Sequence, residues 1–312
     1  MEVLPHISIV SPVYKAEHII EQLVAEIKKA MLALKCSYEI ILIDDRSPDQ
    51  SWEKMKILSH ENPEVKSLRL SRNFGQHPAI MAGLAQAKGE WVVVMDCDLQ
   101  DQPKEIVRLY AAAQEGYEIV LAKRVNRADR FSKRLGSKVF SIVYTYFTDV
   151  KYDNQVANFG IYHQKVVQSV LSICDYIKFF PLFVNLAGFN SRSIAVEHAE
   201  RYAGNSSYSY GKLISLAFNA IISFSNKPLK LFVKFGLTIS VLAFIVGIYY
   251  LYKALANEIA ILGYSSIIVS IWFLSGVIIT TIGITGIYIG KIFDQTKHRP
   301  IYIIDEMICS GN

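Results

Sequence analysis

From Phe235 to Tyr252 the chain carries no charged side chain, and from Ile259 to Gly290 it again carries none, with only Lys253 and Glu258 between the two runs. A helix needs roughly 20 apolar residues to cross about 30 Å of hydrocarbon, so each run is long enough to span a bilayer. The second leaves room for tilt or for a short loop at Leu262-Gly263-Tyr264. Core helices of soluble proteins rarely offer two such stretches, and both are read as transmembrane helices. Their flanks predict an orientation. Lys227, Lys230 and Lys234 precede the first run, and Lys291, Lys297 and Arg299 follow the second, while the connection is nearly neutral. Basic residues accumulate on the cytoplasmic side, so both ends of the hairpin are expected there. The N-terminus, Met-Glu-Val-Leu-Pro-His, has no basic region, and the apolar run from Ile7 to Val13 is too short for a signal sequence. The expectation is an integral inner (plasma) membrane protein with a cytoplasmic domain over residues 1–228, two spans over 229–291 and a cytoplasmic tail over 292–312.

Composition narrows the classes further. With 52% hydrophobic and 20% charged residues, the 312-residue chain is no disordered or collagenous polymer. Lys and Arg number 33 against 28 Asp and Glu, and a net charge of +5 is too small to imply nucleic acid. Cys36, Cys97, Cys174 and Cys309 form no C-x-x-C pair and have no histidine at ligand spacing, so neither a zinc site nor a disulfide scaffold is indicated.

The first two-thirds read as alternating strand and helix. His6–Val13, Tyr38–Asp45, Val65–Ser71, Trp91–Asp98 and Glu118–Lys123 are short, β-branched-rich apolar runs, and each of the first four precedes a stretch with helical spacing. That alternation predicts an α/β fold on a parallel sheet. Ligands in such sheets bind beyond the carboxyl ends of the strands. Those ends are rich in carboxylates: Glu17 behind strand one, Asp44-Asp45 at strand two, Asp96-Cys97-Asp98-Leu99-Gln100-Asp101 at strand four. No Walker loop and no G-x-G-x-x-G follows strand one, so phosphate must be held another way. On an extended strand Asp96 and Asp98 would share a face, which Gln100 could extend. Two hard oxygen donors side by side suit Mg²⁺ or Mn²⁺, which would bridge to a diphosphate.

Ser11-Pro12-Val13-Tyr14, Ile43-Asp44-Asp45, Ser71-Arg72-Asn73-Phe74-Gly75, Met95-Asp96-Cys97-Asp98-Leu99-Gln100-Asp101 and Lys133-Arg134-Leu135 occur in that order. Together they resemble the polyisoprenyl-phosphate glycosyltransferases of glycosyltransferase family 2, similar to dolichyl-phosphate mannose synthase and bactoprenol glucosyltransferases. The likeness continues through Glu200-Arg201, Gly204, Tyr208 and Lys212 to Tyr288-Ile289-Gly290-Lys291. It implies a GT-A nucleotide-sugar-binding domain, interfacial helices and a two-helix hairpin. It also implies inverting transfer of a sugar from a nucleotide-diphosphate donor to a polyprenyl phosphate, supplying a lipid-linked sugar for cell-surface glycans such as O-antigen, lipopolysaccharide or wall polymer. By this resemblance Pro12, Tyr14, Glu17 and Asp45 line the nucleotide pocket. Asp45 accepts from base or ribose, unless it or Asp44 instead caps the turn. Asp96, Asp98 and Gln100 hold metal and diphosphate, and Arg124 and Arg201 clamp phosphates as planar forks. Relatives carry Gly-Asp-Phe where this chain reads Ala157-Asn158-Phe159-Gly160, so Asn158 is expected to position rather than to take a proton. Gly160-Ile161-Tyr162 and Ser207 are further departures.

Two segments are read as interfacial helices. Between Arg130 and Phe147, Phe131, Leu135, Ile142 and Tyr146 share a helical face while Lys133, Arg134 and Lys138 fall largely elsewhere, a pattern suited to an anionic surface. From Lys212 to Phe224, Ser215, Asn219 and Ser223 stripe an apolar cylinder that could equally pack on the core. Gly236, Gly247, Gly276, Gly283, Gly286 and Gly290 offer close-packing faces for a homo-oligomer. Two other readings stay open: a processive or glycolipid-directed family 2 enzyme, although no tryptophan sits in a Q-x-x-R-W context, and a non-catalytic membrane-anchored nucleotide-binding protein.

Overall fold

All seven residues of the first strand, β1 (Ile7–Val13), are buried in the computed structural model, which describes residues 4–124, 145–146, 156–173, 175, 179–196, 225–256, 263–297 and 299–309. The chain divides into two compact units, one of residues 1–141, 150–207 and 299–312, the other of 142–149 and 208–298.

In the first unit β1 is joined by β2 (Tyr38–Asp44), β3 (Val65–Leu70), β4 (Trp91–Val94), β5 (Ile119–Arg124), β6 (Val156–His163), β7 (Ser191–Val196) and β8 (Ile304–Ile308), ordered β7-β5-β6-β4-β1-β2-β3-β8. β1 pairs in parallel with β2 and β4, and β2 with β3; β6 runs antiparallel to β4 and β5, and β8 antiparallel to β3. The sheet is therefore mixed, where the sequence predicted a parallel one. Central strands read as unbroken apolar runs because both faces are covered. On one face Ile7, Ile9 and Val13 of β1 join Ile20, Leu23, Val24, Ile27, Ala30 and Met31 of α1 (Ile20–Leu34) in the core, with Trp52 and Met55 of α2 (Ser51–Glu61). Spacings of three and four put the α1 residues on one stripe, and each fully buried aliphatic side chain contributes about 1.5–3 kcal/mol. The opposite face takes α3 (Gln76–Gln86), which comes so close that a Cβ on Gly83 would lie 2.5 Å from Val10 Cγ1 and 2.6 Å from Ile43 Cδ1. The helices α4 (Ile106–Ala113), α5 (Gln164–Ser172) and α6 (Phe180–Leu186) complete the layers.

Two features differ from the sequence reading. β4 ends at Val94 rather than Asp98: Met95 N–H still donates to Val10 O, but Leu99 then takes a left-handed backbone (φ 55°) and the Asp98 carboxylate accepts from Gln100 N–H. Such an aspartate turn offers the backbone an alternative to the ladder. The expected tail also holds a strand, β8, which shields the β3 edge of the sheet.

The second unit contains α7 (Lys227–Leu255, 29 residues) and α8 (Tyr264–Thr296, 33 residues), about 43 and 50 Å long. Both are long and apolar enough to cross a membrane, with mean hydropathy of 2.1 over Lys227–Val246 and 1.8 over Ser270–Thr296, and these windows are not buried within the chain. Thr238, Thr280, Thr281 and Thr285 donate their hydroxyls to carbonyls four residues back, so these polar groups are satisfied within their own helix. Among the described residues a Cβ on Gly236, Gly276, Gly283, Gly286 or Gly290 would meet nothing within 4 Å. Of the two predicted interfacial helices only Thr145 and Tyr146 fall among the described residues; there Lys227 Nζ donates to Tyr146 O at 2.6 Å.

Candidate functional site

Parallel pairing brings the carboxyl ends of β1, β2, β3 and β4 to one edge of the sheet. β5 shares their direction, being antiparallel to β6, and β7 follows β5. Val94 is paired with Gly160, so Asn158, two residues earlier on β6, sits at the same edge beyond the end of β4. Each loop leaving the four parallel strands contains one left-handed residue: Lys15 (φ 55°), Arg46 (φ 56°), Gly75 (φ 98°) and Leu99 (φ 55°). For a residue with a Cβ this conformation costs about 1–2 kcal/mol, and it persists where surrounding contacts fix it.

Those contacts are side chains of one loop on the backbone of the next. Between the first and second loops, Lys15 N–H donates to Ser47 Oγ (3.2 Å) and Ala16 N–H to Ser51 Oγ (3.0 Å). Glu17 is tied in both directions: its N–H donates to Asp49 Oδ2 (3.3 Å), and its Oε2 accepts from Gln50 N–H (2.9 Å). Burial opposes ionisation of Asp49, but the hydrogen bonds from Ser51 and Glu17 outweigh it and hold its pKa below the usual range. Asp45 fastens the second loop to the third, accepting from Phe74 N–H at 2.7 Å and Gly75 N–H at 2.8 Å. Asp44 caps its own turn through Ser47 N–H (2.9 Å) and faces Arg69 Nε at 3.3 Å. Burial raises the pKa of both carboxyls, and these partners only partly offset it.

The fourth loop carries the paired carboxylates. Gln76 at the start of α3 donates Nε2 to Asp96 Oδ1 at 2.6 Å, and Gln100 N–H donates to Asp98 Oδ1 at 3.1 Å. Asp96 and Asp98 thus stand in a turn, each braced by an amide, rather than on one face of a strand. Burial raises the pKa of the Cys97 thiol between them to about 12, so at neutral pH it stays a thiol.

Among the sequence-predicted residues, Pro12 and Asp45 are buried, Glu17, Asp96, Asp98, Gln100 and Asn158 are partly buried, and Tyr14 is 46% exposed. The Asn158 carbonyl accepts from the buried Tyr162 hydroxyl at 3.4 Å. Asp45, expected to meet base or ribose, has both oxygens on loop amides. Arg124 ends β5 opposite Val196, which places its backbone at the site edge. Arg201, Arg130, Lys133, Arg134, Lys138 and Lys212 lie outside the described residues. The sequence reading missed Gln76; a polar residue opening a helix straight after the Ser71–Gly75 motif was its only local signal.

Among the described residues no three Asp, Glu, His or Cys side chains gather as a metal cage. Two carboxylates in one turn nevertheless fit Mg²⁺ or Mn²⁺, because Mg²⁺ is commonly held by one or two carboxylates plus substrate phosphates rather than by protein alone.

Residues 8–170 match the family described as glycosyl transferase family 2. The chain is 34% identical over 300 residues to an uncharacterized glycosyltransferase of Bacillus subtilis, YkcC, covering 96% of this chain and 93% of that one. It is 32% identical over 310 residues to the undecaprenyl-phosphate 4-deoxy-4-formamido-L-arabinose transferase of Proteus mirabilis, covering 98% and 95% respectively. Among solved structures it is similar to a mannosyltransferase from Pyrobaculum calidifontis in complex with GDP-Man and Mn²⁺, at TM-score 0.48 and 14% identity, covering 72% of this chain and 64% of that one.

Proposed function

Because the chain belongs to glycosyl transferase family 2 and is a glycosyltransferase acting on nucleotide sugars, we propose that it transfers one sugar, with inversion, from a nucleotide-diphosphate donor to a polyprenyl phosphate at the cytoplasmic face of a membrane. One observation carries the acceptor class. The family match ends at residue 170, yet likeness to the undecaprenyl-phosphate transferase runs over 98% of the chain and so takes in both apolar helices. Topology supports the hairpin: β1 to β7 precede the two helices, β8 follows them, and all eight strands form one sheet. Strands of one sheet share one side of a membrane, so an even number of crossings lies between β7 and β8. The basic flanks argue that this side is the cytoplasm.

In this reading Asp96 and Asp98 bind the divalent ion together with the donor diphosphate, Gln76 holds Asp96 in aim, and the Gln100 amide does the same for Asp98. When bound, Mg²⁺ or Mn²⁺ offsets the charge that gathers on the departing nucleoside diphosphate. Pro12, Tyr14 and Glu17 receive the nucleotide; Asp45 acts by fastening the loops around it. Arg124 and Arg201 bind phosphate, and Arg130, Lys133, Arg134, Lys138 and Lys212 meet lipid headgroups. The attacking group is a phosphate monoester whose second pKa lies near 6, so it is mostly ionised at neutral pH. It therefore needs no strong base, and Asn158, which cannot take a proton, suffices as an orienting amide.

The test is transfer of label from a panel of radiolabelled nucleotide sugars into undecaprenyl phosphate in vesicles. A lipid product abolished by chelation is expected, and Asp98→Ala should lower turnover by at least about 10²-fold, the range for loss of a main charge-stabilising group. No lipid product from any sugar sinks the proposal.

A further inference from the structure

After α8 the chain rejoins the sheet at the lip of the site. β8 pairs with β3, and Ser71 N–H, the first residue of the loop leaving β3, donates to Ile303 O at 2.9 Å. The ladder is irregular: Arg69 faces Glu306 while Leu70 faces Ile304, which leaves Asp305 as the extra residue of a bulge. A bulge re-aims a side chain, and Asp305 Oδ2 meets Arg46 Nη1 at 2.6 Å. Arg46 is the left-handed residue of the loop leaving β2, directly after Asp45. β8 and Ile303 just before it thus touch both loops that the Asp45 carboxylate joins, one through Arg46 and the other through Ser71.

We propose that β8 is a positioning element of the donor site, and that Asp305, acting through Arg46, holds the loops after β2 and β3 in the conformation that receives the nucleoside diphosphate. This rests on the donor-site reading given above. Arg46 and Asp305 are 42% and 43% exposed, so their pairing alone is worth up to about a five-fold change in affinity and weakens as salt screens it.

The test is calorimetric titration of the full-length protein in detergent with UDP and with GDP, in the presence of Mg²⁺. Asp305→Ala should weaken binding by about two- to five-fold at low salt and by less at high salt. The exchanged pair Arg46→Asp with Asp305→Arg should recover most of the loss. Glu115→Ala, which removes an ion pair with Arg192 at the opposite edge of the sheet, should leave binding unchanged. Wild-type affinity in Asp305→Ala, or an equal loss in Glu115→Ala, overturns the assignment of β8. A wild-type protein that binds neither nucleotide overturns the donor-site reading itself, and the two failures are thereby distinct.

Discussion

At the scale of single residues the site is a set of side chains that fix backbone. Asp45 is 3% exposed and accepts two amides, whereas Asn offers one acceptor and would turn an NH₂ group toward the other N–H. Asp45→Asn should therefore cost about 1–3 kcal/mol of stability and weaken donor binding, read as a lower unfolding midpoint together with a raised donor KM. His77, one residue past Gln76, packs edge-on against Phe179 at 4.7 Å, its Nδ1 has no hydrogen-bond partner among the described residues, and burial lowers its pKa to about 4. Below about 6.5 the unfolded chain binds a proton that the folded protein refuses. Stability from this residue is thus complete above about 6.5, falls as pH drops toward about 4, and is level below that. His77→Phe should flatten this part of the profile in detergent. Asp44 and Asp45 act in the opposite sense: their raised pKa values mean that the folded state binds protons more tightly, so their contribution declines as pH rises through the window just above the usual aspartate range.

Elements were legible where a pattern is local and obscure where it depends on distant chain. Central strands and the two apolar helices announced themselves as unbroken runs, and the motif-bearing loops as strings of carboxylates. β4 was overextended because the apolar run that opens at Trp91 cannot show that Asp98 will trade the ladder for its own turn; the strand in fact covers only Trp91–Val94. β8 was missed because three of its five residues are exposed, leaving no apolar period to read. Asp305 lies 259 residues from Arg46, a separation that no motif spans. The turn before β4 tests how tightly these elements close. A Cβ on Gly89 would lie 2.6 Å from Ser8 N and 2.9 Å from Ile7 C, both backbone atoms that cannot rotate away. Gly89→Ala should destabilise by about 1–3 kcal/mol through overpacking, and chemical denaturation should show it as an earlier midpoint with an unchanged slope.

For the whole molecule, the decisive arrangement is a sheet begun before two membrane-length helices and finished after them. With the basic flanks placing that sheet in the cytoplasm, the proposed topology predicts that green fluorescent protein fused after residue 312 fluoresces and that alkaline phosphatase fused there is inactive; the reverse result would overturn the proposed orientation. A consequence concerns synthesis. β8 follows both apolar helices in the chain, and chains fold from the N-terminus as they emerge. In the proposed topology the β3 edge stays bare until both helices have crossed, and only then is it covered. A chain in which just one of them crosses would leave β8 on the far side from β3, so completion of the sheet reports that the hairpin has made both crossings.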